Sequence, residues 1–416
     1  MNQMNKTLTD RRMSLAVVAV CFLTYSMLGL SRNAYSAAMV GIINDGVLSK
    51  TLAGTISSSY YVTYSLSQFF GSFYVDRISP FKIVAFGVTG TIIANLCMAL
   101  FPTYEVILVA RSACGLVQFG IWPAFLKITT EYICPEHREK SKYLMPLGIT
   151  AGTVFSYLLA ALVFEIGNWQ DMFMIAGIIL FLMLGAFAVT VVKANKRTEE
   201  VLPTVETDRK ERPKASTGKN WALILSSGAI LIFIFSLMNS LYATSLTWMP
   251  TIMVECYDLS PSFSSLMTTI TTCASLTGIF WVFLIYPKRI KSQMTAMWTI
   301  AMAILPLATI LVFTGVIPFL VALAAITLIK MLRAGIHHFL TVEIPAGYKK
   351  YNKAGMMAGM INVFACVGSM IGGTVYGIAA DRMGWNMTIL LGAVFVGISV
   401  LALGVAIPIW KRFVKK

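Results

Sequence analysis

The sequence predicts an all-α membrane protein with twelve transmembrane helices in two pseudo-symmetric six-helix bundles. Three observations predict this. Of 416 residues, 57% are hydrophobic and 12% charged, with a mean hydropathy of +0.76; a soluble domain carries about 25% charged residues. Twelve runs reach the roughly 20 apolar residues that span a bilayer's hydrocarbon. The two halves of the chain also echo each other on either side of a polar stretch.

In order, the runs are Ser14–Met39, Thr51–Val75, Phe81–Phe101, Tyr104–Ile128, Tyr143–Ile166 and Asp171–Val192, then Trp221–Trp248, Pro261–Tyr286, Met294–Thr314, Pro318–Val342, Ala354–Ala380 and Trp385–Trp410. Pro102 and Pro318 mark tight junctions between neighbouring runs. The stretch Lys193–Asn220 mixes charges with two prolines and few apolar groups, so it cannot bury a core and reads as a linker. The domain plan is therefore residues 1–192 as an N-terminal bundle, 193–220 as a cytoplasmic linker and 221–416 as a C-terminal bundle. The echo between halves is specific. Glu131 closes the fourth run and Glu343 the tenth, each followed by a proline-containing basic loop. Gly167 and Trp169 in one turn match Gly384 and Trp385 in another.

Lys and Arg set orientation, because they accumulate in cytoplasmic loops. With both termini inside, 27 of the 33 basic residues fall at the cytoplasmic face and only Lys50 and Arg382 lie outside. This distribution also accounts for the net charge of +15 without nucleic acid as a partner. The seven cysteines are scattered, with no zinc or redox spacing. The first apolar run exceeds a signal peptide's and lacks a small-residue cleavage site. No nucleophile–base pair, metal cluster or phosphate loop has the spacing an enzyme needs, so neither catalysis nor a cofactor is expected.

Four basic residues remain within the helices: Arg32, Arg111, Lys330 and Arg333; the carboxylates sit at helix ends. A cation at the bilayer centre costs about 2.5–3.5 kcal/mol on the insertion scale, so such residues mark function by default. Lys330 lies about 12 residues, or ~18 Å, into its helix, and Arg333 follows one turn on. His337 and His338 come a further turn along and are candidates for proton coupling. Arg111 sits near a helix end, where it either snorkels or braces neighbouring helices. Tyr35, three residues from Arg32, shares its face. Trp and Tyr are also ordinary interfacial anchors, which is the better reading for Tyr60 and Trp248. Small residues such as Gly148, Gly152, Gly368, Gly372 and Gly373 suit close helix packing.

Several local patterns carry a family resemblance. The first helix has Ser31–Met39 (SRNAYSAAM), the second Tyr64, Ser67 and Gln68, followed by Asp76-Arg77. The fourth has GLVQFGIWP from Gly115 to Pro123, the seventh ends in Trp248-Met249-Pro250, and the tenth in Glu343-Ile344-Pro345. Over nearly the whole chain this resembles the organophosphate:phosphate antiporters of the major facilitator superfamily, the family of the glycerol-3-phosphate transporter, and more distantly the anion:cation symporters. The resemblance implies a major facilitator fold in which helices 1, 4, 7 and 10 line a cavity, with Arg32 on the substrate phosphate and Tyr64 beside it. The departures are as informative. Tyr242 stands where the second phosphate-binding arginine belongs, Gln68 replaces a lysine, Ile149 a histidine, and Gln118 the symporters' glutamate; Ser72 replaces the glycine usual before the Asp-Arg loop.

The internal repeat aligns Gln118 with Lys330, an offset of 212 residues. The second cation is thus expected on helix 10. The expected substrate-binding set is Arg32, Tyr35, Tyr64, Gln68, Gln118, Trp122, Tyr242, Lys330 and Arg333. Lysine is a point charge, whereas arginine pairs grip phosphate bidentately, so a small organic carboxylate is favoured over a sugar phosphate. The expected protein is a monomeric secondary transporter, antiporter or symporter, working by rocker-switch alternating access in a bacterial inner membrane. Its partners would be the lipid bilayer, the anionic solute, and a counter-anion, sodium or a proton. Two other readings stay open: proton-coupled efflux of amphipathic compounds, which usually needs a buried carboxylate, and a transporter-like receptor for an external anion.

Overall fold

The computed structural model describes residues 6–71, 78–200, 227–278, 280, 286, 290–351 and 353–415. The Asp76-Arg77 loop, Ser72, most of the linker and the start of the seventh run at Trp221 lie outside the described residues. Fourteen helices longer than one turn run through the described residues: α1 (Arg11–Asn44), α2 (Lys50–Gly71), α3 (Pro80–Leu100), α4 (Tyr104–Val117), α5 (Ile121–Lys127), α6 (Pro135–Leu144), α7 (Leu147–Ile166), α8 (Trp169–Asn195), α9 (Ala229–Ser245), α10 (Met249–Tyr257), α11 (Pro261–Ser275), α12 (Gln293–Ile310), α13 (Phe319–His338) and α14 (Ala354–Lys415). Nine helical stretches among the described residues are long and apolar enough to cross a membrane. The longest, α14, breaks at Gly384, where φ is 77° and ψ 174°. That left-handed backbone is open to glycine at little cost, and it separates the eleventh and twelfth predicted runs.

Local chemistry explains where the helices start. The Asp10 carboxylate accepts from the Arg12 and Met13 backbone N–H groups, so α1 begins three residues before the predicted Ser14. Asp171 reaches back to the Asn168 N–H at 2.9 Å to open α8. Ser260 and Ser292 cap α11 and α12. Pro80, Pro135 and Pro261 stand at first-turn positions, where a missing N–H costs nothing.

The chain divides into two compact units, Met1–Val47 with Val62–Lys214, and Leu48–Tyr61 with Ala215–Lys416. The first has a core of Val84, Val88, Phe125, Ile128, Leu180 and Phe187 among others. The second is built around Phe235, Met297, Ile329, Phe339, Leu403 and Trp410. Large apolar side chains also cover the outside: Phe181 is 65% exposed and Leu401 71%. Such belts are unstable in water and suit lipid.

The internal repeat is visible in each unit. Helix α5 runs into a π-turn at Ile128–Tyr132, and α13 into one at Phe339–Glu343. The Trp169 indole donates to Asp45 at 2.9 Å in the first unit, and the Trp385 indole to Glu255 at 2.9 Å in the second. Gly152 lies against the Ser26 carbonyl of α1, and Gly368 against the Leu237 carbonyl of α9. A side chain at either place would meet backbone, which fixes these as close helix crossings.

Three features depart from the predicted elements. The fourth run is not continuous: α4 ends at Val117 and α5 begins at Ile121, with Gly120 at φ 63° between them. The seventh run passes through a 3₁₀ turn at Leu246–Trp248 and continues to Tyr257. A two-stranded antiparallel sheet pairs β1 (Lys6–Leu8) with β2 (Thr198–Glu200). Arg197 bonds Asp10 at 2.6 Å beside it, so the linker's first residues are tied to the N-terminal segment.

Candidate functional site

In the first unit, α1, α2 and α4 bring three of the expected residues together. Arg32 donates to the Gln118 Oε1 at 3.1 Å, and its guanidinium carbon lies 5.0 Å from the centre of the Tyr64 ring, within the range of a cation–π contact. Gln118, 3% exposed, is held in turn: its amide nitrogen lies 3.4 Å from the Thr91 hydroxyl and 3.3 Å from the Cys114 sulfur. The orientation of Gln118 follows from the local backbone. It caps the C-terminal end of α4, two residues before the left-handed Gly120.

Arg111 takes the bracing role. Its guanidinium donates to the Arg32 carbonyl at 2.7 Å and lies 5.3 Å from the Tyr35 ring centre. Tyr35 is fully buried, so the structure places it beneath Arg111, although it shares a helix with Arg32. Trp122 is half-buried and packs on Tyr25, with ring centres 5.4 Å apart. Gln68 is half-buried one turn beyond Tyr64.

In the second unit, Lys330 on α13 donates to the Thr271 hydroxyl of α11 at 2.8 Å and approaches that of Thr272 at 3.4 Å. Arg333, one turn on, lies 3.4 Å from both the side-chain and backbone oxygens of Asn239 on α9. Among the described residues neither cation takes part in an ion pair. Their neighbours are neutral hydroxyls and an amide, groups that orient a cation without cancelling its charge. Tyr242 is buried against Gly392 of α14. His337 is exposed, whereas His338 is half-buried with its Nε2 3.7 Å from a Glu343 carboxylate oxygen.

Thr271, Thr272 and Asn239 are partners that the sequence reading did not name. One signal for the threonines was available: α11 buries seven Ser and Thr residues within a membrane segment. Among the described residues no cluster of His, Cys, Asp or Glu has a geometry for a metal ion.

The chain is 26% identical over 247 residues to "Probable anion transporter 4, chloroplastic" of Oryza sativa subsp. japonica, covering 56% of this chain and 41% of that one. It is 25% identical over 190 residues to "Probable hexose phosphate transport protein" of Chlamydia trachomatis serovar D, covering 46% and 41%. Against human "Sialin" it is 22% identical over 343 residues, covering 77% and 67%. The first two matches thus span less than half of those relatives. In fold, a bacterial homolog of the human lysosomal transporter Spinster, solved inward-facing and unoccupied, superposes with a TM-score of 0.75 at 14% identity over 97% of this chain and 99% of that one. The D-xylose–proton symporter gives 0.73 at 14% identity, over 95% and 97%. The family model described as Major Facilitator Superfamily matches residues 21–373, and with the all-helical fold and its transporter neighbours this establishes that the chain belongs to the Major Facilitator Superfamily.

Proposed function

We propose that the protein is a secondary transporter of a small organic anion, working by alternating access of two six-helix bundles in a bacterial plasma membrane with both termini cytoplasmic. The reading draws twelve crossings: α4 with α5, α9 with α10, and the two arms of α14 each count as the superfamily's single helices, and α2 and α11 complete the set. The observation that carries it is the pair Lys330 and Arg333. Two cations one turn apart, set among neutral groups, form a site that an anion stabilises. At 4 Å and an effective dielectric of 20, each such contact is worth about 4 kcal/mol before desolvation. In the first unit, Arg32 is oriented by Gln118 and faced by Tyr64, the position that holds phosphate in the antiporters the sequence resembles. The relatives' names, anion, hexose phosphate and ascorbate transporters among them, support an anionic cargo.

Carboxylate is preferred to sugar phosphate. The second unit offers a lysine, a point charge held by threonines, where bidentate recognition of phosphate calls for a second arginine. Exchange against an internal anion is the proposed energy source.

The test is counterflow uptake into proteoliposomes with a panel of labelled carboxylates, sugar phosphates, inorganic phosphate and neutral sugars, with pH and sodium varied separately. Saturable uptake of a carboxylate, driven by internal anion and lowered at least tenfold by Lys330→Gln, fits the loss of about 1.4 kcal/mol or more of anion binding. Uptake confined to neutral or cationic solutes contradicts the reading.

A further inference from the structure

Helix α13 carries two cations on successive turns, and they are anchored differently. Lys330 and Arg333 are three residues apart, which sets them about 60° apart around the helix and ~4.5 Å along it. The Lys330 ammonium leans to α11, where it donates to the Thr271 hydroxyl at 2.8 Å. Arg333 leans to α9, where its Nε meets the Asn239 Oδ1 and its Nη2 the Asn239 backbone oxygen, both at 3.4 Å. Among the described residues the two heads share no hydrogen-bond partner. Thr271 is fully buried, whereas Lys330 and Arg333 are half-buried, so the lysine's anchor is sealed while both cations keep open surface.

Asn239 holds Arg333 by one edge only. Nε and Nη2 form one side of the planar guanidinium, and Asn239 fills that side with two neutral oxygens. The Nη1–Nη2 edge of the same plane is turned away from Asn239, and such an edge takes a carboxylate through two parallel hydrogen bonds. Arg333 is therefore oriented without being neutralised. The next carboxylate along the chain, Glu343, stands beside His338 instead, at 3.7 Å. Two anchored poles ask for negative charge in two places. A monocarboxylate balances one pole and leaves the other cation unmatched in an apolar helix, where charge is costly. A phosphate carries its charges on a single group. A dicarboxylate brings one charge to each pole.

We propose, resting on the anion-transport reading above, that the cargo is a dicarboxylate with one carboxylate at Lys330 and the other at Arg333, and that Asn239 is the positioning residue of the Arg333 pole. The charge of the poles rejects a solute with one carboxylate, and their spacing selects the length of chain between two.

The experiment measures KM for uptake by the full-length protein in proteoliposomes, at a pH where carboxylates are ionised. The probes are succinate, glutarate and adipate, each against its half-amide, with inorganic phosphate and a sugar phosphate alongside. A half-amide keeps the shape of its parent and loses one charge. The wild type is expected to take at least one dicarboxylate with a KM about tenfold or more below that of its half-amide. R333Q removes one pole. N239D keeps the shape of asparagine and gives Arg333 an internal counter-charge. Both are expected to raise the dicarboxylate KM and leave that of the half-amide nearly unmoved, so that the two come within about twofold. A purely structural role for Asn239 would move both KM values together and preserve their ratio. Equal KM values for dicarboxylate and half-amide in the wild type overturn the proposal, as does a ratio that survives N239D or a phosphate preferred to every dicarboxylate. Uptake of no anion in the panel overturns the anion-transport reading itself.

Discussion

Lys330 shows how a membrane protein keeps a cation in an apolar helix. Its ammonium has three protons, and Thr271 and Thr272 take two directions. A hydroxyl contributes a charged hydrogen bond worth about 1.5–3 kcal/mol without neutralising the donor. Thr271→Val keeps the shape and removes that bond. It is expected to raise the KM for the transported anion by about tenfold to a hundredfold while leaving the thermal unfolding profile near that of the wild type. A KM unchanged by Thr271→Val would mean that the threonine has no part in holding the lysine for substrate. Arg32, Tyr64, Gln118, Lys330 and Arg333 stand out in the sequence as candidates because charge and polarity inside a membrane are costly and therefore conspicuous. Their partners do not. A threonine in an apolar helix ordinarily bonds the carbonyl one turn back, as Thr268, Thr269 and Thr272 do. Which hydroxyl also meets a lysine 58 or 59 residues away is set by packing.

At the scale of elements, the close crossings carry the mechanics. Gly152 and Gly368 let α7 and α14 press on the backbones of α1 and α9. Both were identified from the sequence as packing residues, since small residues mark the tightest helix contacts in lipid. Gly152→Leu forces a side chain into the Ser26–Leu30 backbone. It is expected to cost about 1–3 kcal/mol or more, as overpacked interiors do, and to lower the unfolding temperature of the purified protein. An unchanged unfolding temperature would show that the crossing is loose. Helix breaks were less legible. Gly120 and Pro250 are visible as letters, but whether a glycine unwinds a helix depends on what its neighbours bond. Here α4 stops at Gln118 and Gly120 turns left-handed, which aims the Gln118 amide at Thr91 and Arg32. The β1–β2 pair was invisible for a similar reason: its strands lie nearly two hundred residues apart, and three residues each give no periodicity to read.

At the scale of the whole molecule, the hydrophobic runs and their charged flanks carried the fold class, because bilayer thickness dictates helix length and leaves few alternatives. The sequence echo at an offset near 212 residues has a structural counterpart in a π-turn and a tryptophan–carboxylate contact within each unit. The identity of the cargo lies at a different level. It depends on a few side chains whose charge is plain in the sequence and whose three-dimensional neighbours are not written in any periodicity.

The central proposal is that the helix-borne cations Arg32 and Lys330 serve to bind the anionic cargo. It is tested most directly by equilibrium binding of the carboxylate found by counterflow to the purified wild type and to the charge-neutralised pair Arg32→Gln with Lys330→Gln. Removing two contacts of about 4 kcal/mol each before desolvation predicts that binding falls below detection in the double variant, with the protein still folded and monodisperse. Binding and uptake of that anion by the double variant at wild-type levels would contradict the account.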